Sequence, residues 1–325
     1  MRGNLVPAHT PNYHHKTMEA ISSQRMSFSE PLSRVLIPLV LGITRRFMLR
    51  GGTQSCERRL AGIPTHYYQL PARGNPQNPM PVVLIHGIAD SAITWAFVAR
   101  GMAKIGPVYA VDLPGFGLSG YPAGRRYASI NEQVQVIEAL LRDVVGGPAL
   151  LVGNSMGGWI AARLAVRNPE LARGIVLLDP GGAQLAGRPS WEPFADTVAV
   201  RDMRTVRRIY RQMFGRVPLA LYLAQHSFRD LFLRDAVREF VAAAKEDDFF
   251  SPEELAAIRV PVALVWGSRD TFLPAGSFEF FRDNLTSAEV CLLPGCGHLP
   301  QRERPYKLVR FTRRFAARLG SAGDA

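Results

Sequence analysis

Six short apolar runs dominate the chain: Val82-Val83-Leu84-Ile85, Val108-Tyr109-Ala110-Val111, Leu150-Leu151-Val152, Ile175-Val176-Leu177-Leu178, Val262-Ala263-Leu264-Val265-Trp266 and Val290-Cys291-Leu292-Leu293. Each is continuous instead of alternating, the pattern of strands covered on both faces. Amphipathic stretches near 92–105, 130–145, 157–168 and 275–286 lie between them. Strand and helix in alternation predict an α/β fold, a parallel sheet with helices on both faces. Two earlier runs, around Arg59 to Ile63 and His66 to Leu70, predict an antiparallel entry that brings the sheet to eight mostly parallel strands.

The alternation stops between Asp179 and Ala257. There Met203, Val206, Tyr210, Met213 and Phe214 share one helical face, and Arg204, Arg207, Arg208 and Arg211 fall largely elsewhere. The stretch reads as a helical lid inserted after the sixth strand, over the strand ends where α/β sheets bind ligands. The expected organisation is a tail over 1–30, an amphipathic or apolar N-terminal helix over 31–56, a core from 57–181 and 258–319, and a cap over 182–257.

With 47% hydrophobic and 20% charged residues in 325, wholesale disorder and coiled coil are excluded. Cys56, Cys291 and Cys296 make neither a disulfide framework nor a C-x-x-C pair, so a reducing, cytoplasmic setting is expected. The net charge of +12 raises nucleic acid as a partner, but no helix-turn-helix, RNP or zinc-finger pattern accompanies it, and none is expected to bind. Residues 1–30 are polar and aperiodic, and Met18 or Met26 offers an alternative start. The run Val35 to Ile43, followed by Arg45, Arg46 and Arg50, is too short to span a bilayer, which needs about 20 apolar residues. Residues 31–50 read either as a peripheral membrane helix or as a helix packed on the core.

The chemistry centres on Gly153-Asn154-Ser155-Met156-Gly157. A strand candidate ends at Gly153 and a helix candidate begins after the serine, so Ser155 sits on a strand-to-helix turn that the glycines permit. Ser155 is the expected nucleophile, and the Met156 amide points to the developing oxyanion at the helix N-terminus. The base is expected to be His298, in Gly295-Cys296-Gly297-His298, because it alone among seven histidines follows a late strand. Asp270, after the Val262 strand, supplies the orienting carboxylate in the chain order serine, acid, histidine. Asp179, at the end of the preceding strand, is the alternative acid. No H-E-x-x-H helix, P-loop or dinucleotide fingerprint appears, and neither metal nor cofactor is expected.

These motifs resemble those of the α/β-hydrolase superfamily. His86-Gly87-Ile88-Ala89-Asp90 resembles its oxyanion loop, and Asp112-Leu113-Pro114-Gly115-Phe116-Gly117-Leu118-Ser119 its D-x-P-G-x-G-x-S segment. The resemblance implies that the Ile88 amide is the second oxyanion donor and that His86 shapes its loop. Trp266-Gly267-Ser268-Arg269-Asp270, Cys296-Gly297-His298 and Glu303-Arg304-Pro305 are most similar to lidded, monoacylglycerol-lipase-like hydrolases. The implied activity is hydrolysis of lipid-like acyl esters through an acyl-enzyme. The alternatives are other chemistries of the same three side chains (C–C bond hydrolysis, thioester hydrolysis, perhydrolysis, acyl transfer) and a non-catalytic ligand-binding role. Ser155 stands where epoxide hydrolases and dehalogenases carry aspartate.

Overall fold

The computed structural model describes residues 29–185 and 189–321. Its eight strands are β1 (Gln54–Leu60), β2 (Ile63–Leu70), β3 (Val82–Ile85), β4 (Val108–Val111), β5 (Ala149–Asn154), β6 (Ala172–Leu178), β7 (Val262–Gly267) and β8 (Glu289–Leu293). They form one sheet in the order β1-β2-β4-β3-β5-β6-β7-β8. β1 and β2 pair antiparallel, as do β2 and β4, and the remaining pairs are parallel. Five of the six apolar runs are continuous because both faces are covered; the sixth, in β8, lies at the sheet edge, and there Val290 and Leu292 are 41% and 52% exposed, against the two-sided cover expected. Val83, Ile85, Leu151, Ile175 and Leu177 pack in one layer, while Val82, Leu84, Leu150, Val152, Val176 and Leu178 pack in the other.

The helices are α1 (Ser29–Met48), α2 (Ala99–Met102), α3 (Ile130–Leu140), α4 (Met156–Arg167), α5 (Trp191–Val198), α6 (Met203–Met213), α7 (Leu219–Leu223), α8 (Gln225–Phe232), α9 (Asp235–Ala243), α10 (Pro252–Ala256), α11 (Ser277–Asn284), α12 (Pro300–Glu303) and α13 (Pro305–Ser321). Helices α5 to α10 fall between β6 and β7. On α6, Val206, Ile209 and Tyr210 are buried, and Arg204, Arg207, Arg208 and Arg211 are exposed. The far end of this segment is anchored on α4, where Trp159 Nε1 and Arg163 Nη2 donate to the Asp248 carbonyl (2.8 and 2.9 Å) and Arg163 pairs with Glu254.

Three expectations need correction. The helix expected over 31–56 runs from Ser29 to Met48; Gly51 and Gly52, at φ +73° and +85°, turn the chain out of helix and Gln54 begins β1. The first strand starts five residues before Arg59, because an edge strand with an exposed, polar sequence carries no apolar signal. It ends at Leu60, and the two-residue turn Ala61-Gly62 (φ +46° and +79°) closes the hairpin. Over 92–105 a 3-10 turn (Ala92–Trp95) and the single turn α2 replace a continuous helix, the Ala92 amide being tied to Asp112 Oδ1 (2.7 Å). The expected tail lies outside the described residues except for Ser29 and Glu30. Helix α1 packs on the core at its C-terminal end, where Met48 is buried and Phe47 stacks under Arg100 (4.9 Å), whereas Val35, Leu39 and Ile43 are 66%, 56% and 58% exposed.

Candidate active site

The strand order places a topological switch beside β3, whose neighbours β4 and β5 lie on opposite sides, and ligand crevices form at such points. The residues singled out in the sequence leave the carboxyl ends of neighbouring strands there: Ile88 after β3, Ser155 after β5, Asp179 after β6, Asp270 after β7 and His298 after β8.

Ser155 occupies the turn between β5 and α4 at φ 55°, ψ −118°, a strained conformation for a residue with a side chain. Its amide donates to the Leu178 carbonyl (2.9 Å), and its own carbonyl accepts from Trp159 and Gly181 (both 3.0 Å), so the neighbourhood holds the strain in place. The flanking glycines are sterically required. A Cβ at Gly153 would collide with the Gly157 carbonyl, and one at Gly157 with the Ile85 carbonyl.

Ile88 and Met156 border the same cavity as Ser155. The Ile88 loop is held by His86, whose Nδ1 donates to the Gly87 carbonyl (2.7 Å) while Nε2 accepts from the Leu113 amide (3.0 Å). That pair of bonds selects the neutral imidazole with the proton on Nδ1, a shaping role with no nitrogen left for proton transfer. The loop also passes close to the serine, since a Cβ at Gly87 would lie 3.1 Å from Ser155 Cβ.

His298 Nδ1 lies 2.7 Å from Asp270 Oδ2, with both side chains buried. Asp270 Oδ1 accepts the amides of Phe272 (2.8 Å) and Leu273 (3.4 Å), and this fixes the carboxylate plane. His298 Nε2 is buried and has no hydrogen-bond partner among the described residues. It borders, with Ser155, a cavity of about 80 Å³. Catalytic hydrogen bonds often tighten only when substrate enters. Asp179, the alternative acid, comes within 4.8 Å of both Asp270 and His298 but makes no hydrogen bond to the imidazole, which bonds to Asp270; its Oδ1 accepts the Gly267 amide (2.8 Å). Burial, and then the charge of Asp270, push its carboxyl well above the usual carboxylate range.

Supports that the motifs did not reveal hold this arrangement. Asn154 Nδ2 donates to the carbonyls of Leu178 (3.1 Å) and His298 (3.0 Å), and its Oδ1 accepts from Gln301 Nε2 (3.0 Å). Glu303 accepts the amides of Gly297 (2.9 Å) and Gly215 (3.0 Å), tying the histidine loop to the segment after α6. Their sequence signal is adjacency to motif residues, which carries no information about partners as far as 88 to 147 positions away. A second Ser-His-Asp chain also exists, with Ser55 Oγ 2.7 Å from His66 Nε2 and His66 Nδ1 2.7 Å from Asp112 Oδ2. It lies at the antiparallel edge of the sheet, away from the cavities beside Ser155. Burial raises the Asp112 carboxyl, but the hydrogen bonds from His66, Ala92 and Leu118 outweigh it and hold it below the usual range.

Two cavities flank Ser155. One, of about 30 Å³, is walled by Trp159, Phe194, Val198 and Phe249. The other, of about 80 Å³, is walled by His298, Phe214, Leu221, Phe228 and Phe232.

Fold and site together define a hydrolase built on a nucleophile-elbow sheet. The Alpha/beta hydrolase family model matches residues 82–311, and the chain belongs to that family. It is 26% identical over 242 residues to the pimeloyl-[acyl-carrier protein] methyl ester esterase of Nitrosomonas europaea, covering 70% of this chain and 92% of that protein. It is 26% identical over 273 residues to monoacylglycerol lipase abhd6-B of Xenopus laevis, covering 78% and 80% respectively. Similarity at 29% identity over 256 residues extends to the 2-hydroxymuconate semialdehyde hydrolase of a Pseudomonas species, covering 74% and 88%. Among solved structures, a bacterial membrane phospholipase A superposes with a TM-score of 0.72 at 26% identity, over 89% of this chain and 92% of that one. No helix among the described residues is long and apolar enough to cross a membrane.

Proposed function

We propose that the chain hydrolyses carboxylic esters through an acyl-enzyme on Ser155. The observation that carries this reading is the buried 2.7 Å His298–Asp270 pair, whose free Nε2 borders a cavity shared with Ser155. Ser155 Oγ attacks the ester carbonyl while His298 Nε2 takes its proton, and Asp270 stabilises the imidazolium. The Ile88 and Met156 amides hold the oxyanion. His298 returns the proton to the leaving alcohol, then deprotonates a water that releases the acid and restores the serine. Because the leaving oxygen must receive its proton from His298, the alcohol belongs in the cavity that His298 borders. The acyl group belongs in the aromatic slot of Trp159, Phe194 and Phe249. Labelling with a fluorophosphonate tests the chemistry: wild type reacts, Ser155→Ala does not, and equal labelling of both refutes it. The similarity to a semialdehyde hydrolase makes C–C cleavage the second reading; turnover of 2-hydroxymuconate semialdehyde in preference to p-nitrophenyl esters would select it.

Lipid-like esters at a membrane surface are the proposed physiological substrates. Helix α1 runs beside α7 and α8. The exposed Val35, Leu39 and Ile43 of α1, with Leu219 (83% exposed), Tyr222 and Leu223 of α7, offer apolar surface. Arg45, Arg46, Arg50 and Arg216 are exposed nearby and complement anionic headgroups. Leu221 of α7 and Phe228 of α8 wall the alcohol cavity from the other side. Truncation should stop before Phe47 and Met48, which pack on the core. Removing residues 1–43 together with Leu219→Ser and Leu223→Ser is expected to abolish flotation with phosphatidylglycerol-containing vesicles while p-nitrophenyl acetate turnover persists. Undiminished flotation refutes the surface.

A further inference from the structure

Asp179 follows β6 directly and is held at φ +42°, a left-handed conformation unusual for a residue with a side chain. Its amide donates to the Val265 carbonyl (3.0 Å), and its Oδ1 accepts from Gly267 (2.8 Å). Both contacts are to β7, so the carboxyl is pinned beside the chain that leads to Asp270. The residue is fully buried, and its Oδ2 has no ordinary hydrogen-bond partner among the described residues. Asp179, Asp270 and His298 each place one polar side-chain atom within 4.8 Å of the others.

Two carboxyl groups so placed, out of water, cannot both be ionised. Their hydrogen bonds decide which one holds the proton. Asp270 has amides on Oδ1 and the imidazole on Oδ2, so its anion is satisfied at both oxygens. Asp179 has a single amide on Oδ1. A proton on Asp179 Oδ2 converts an orphaned acceptor into a donor directed at Asp270. Of the further ionisable groups around it, Glu303 adds negative charge that favours the same proton, and Arg304 acts on Glu303 and Cys296. Glu303 is engaged with the Gly297 and Gly215 amides, and burial keeps the Cys296 thiol protonated.

On the serine-hydrolase reading above, we propose that Asp179 is a neutral carboxylic acid that positions Asp270 by donating a hydrogen bond to it, and that it replaces Asp270 behind His298 when that carboxylate is removed. In the replacement state Asp179 loses its proton to solvent, and its anion pairs with His298 Nδ1. No other atom is exchanged. Asp179 is thus a positioning residue in the resting enzyme, and the two acids are partners where the sequence offered them as alternatives.

Infrared difference spectroscopy of wild type against Asp179→Asn at neutral pH tests the protonation state without any substrate. A protonated-carboxyl C=O band that disappears in the variant is expected, and identical spectra overturn the proposal. A double-mutant cycle tests the replacement. In the wild-type background Asp179→Asn keeps a donor toward Asp270, and a loss of a few-fold in kcat is expected. In an Asp270→Ala background the same change removes the only remaining carboxylate, and a further loss of about 10-fold or more is expected, against roughly 10⁴ for losing a triad acid altogether. Equal factors in the two backgrounds overturn the replacement role. If Asp270→Ala does not fold, the same cycle is run in an Asp270→Asn background, which keeps the size of the side chain, and equal factors there overturn the replacement role as well. Failure of the ester reading is recognised separately, as absent fluorophosphonate labelling of Ser155 with the infrared band intact.

Discussion

Asn154→Ala isolates a support on which both the nucleophile turn and the histidine loop depend. The side chain makes three hydrogen bonds in a buried site, to the carbonyls of Leu178 and His298 and from Gln301 Nε2. Removing it affects the three partners unequally. The Leu178 carbonyl keeps the Ser155 amide (2.9 Å), and Gln301 Nε2 keeps a long contact to Thr94 Oγ1 (3.4 Å). The His298 carbonyl is left buried with no replacement. An orphaned buried acceptor costs about 1–3 kcal/mol and each of the two ordinary lost bonds about 1, so the total is about 3–5 kcal/mol. At about 2 °C per kcal/mol for a domain of this size, the melting temperature should fall by roughly 6–10 °C. Below that temperature the folded variant should still be impaired, because the histidine loop loses its tether to the residue before Ser155. Misplacement of a catalytic group by about 1 Å can cost 10²-fold, so a loss of about 10- to 100-fold in kcat with little change in KM is expected. Thermal melts, p-nitrophenyl ester kinetics and the rate of fluorophosphonate labelling measure the three quantities. A melting temperature within about 1 °C of wild type would show that the carbonyl finds another partner and refute the stability estimate. A full-rate kcat in a destabilised variant would refute the tether.

Three further expectations follow from the same geometry. Ser55→Ala should label with fluorophosphonate as wild type does and Ser155→Ala not at all, because Ser55, His66 and Asp112 line neither of the cavities beside Ser155; labelling of Ser55 by mass spectrometry would contradict this. Phe194→Ala widens the acyl slot, and the ratio of kcat/KM for octanoyl over acetyl p-nitrophenyl esters should rise by about 10-fold or more, at about 1–3 kcal/mol for methylenes newly admitted to an apolar pocket; an unchanged ratio would place the acyl group elsewhere. Two aspartates should affect pH stability with opposite sign. Asp112, held below the ordinary value near 3.8, contributes stability that is present above that pH and lost as pH falls through the lowered folded value. Asp112→Asn should therefore lower the neutral melting temperature and flatten the acid limb. Asp179, held above the same value, costs stability as pH rises from there toward its raised folded value. Asp179→Asn should raise the neutral melting temperature, and a fall would contradict burial as the dominant cause.

What could be read from the chain alone followed from local order. Val82 to Ile85 and the runs in β4 to β7 are apolar at every position because a strand between two helical layers meets no water on either face, and that run pattern survives in one dimension; the run in β8 reads the same way although it is an edge strand with Val290 and Leu292 exposed. Gly153, Gly157 and the elbow serine are likewise legible, since a tight turn restricts its own residues. The start of the edge strand β1 is not legible in the sequence, because its polar residues face solvent and carry no periodic signal. Residues 31–50 allow two readings, and the fold decides only that Phe47 and Met48 dock on the core, while Val35, Leu39 and Ile43 are exposed. Only the folded chain could reveal the Asn154, Gln301 and Glu303 supports, whose partners are distant in sequence and meet through strand order. The same holds for the relation between Asp179 and Asp270. In the sequence they are two acids at two strand ends, interchangeable in principle. Adjacent parallel strands bring those ends together in a site without water, where one carboxyl must keep its proton, and proximity in a low-dielectric interior is a property of three dimensions.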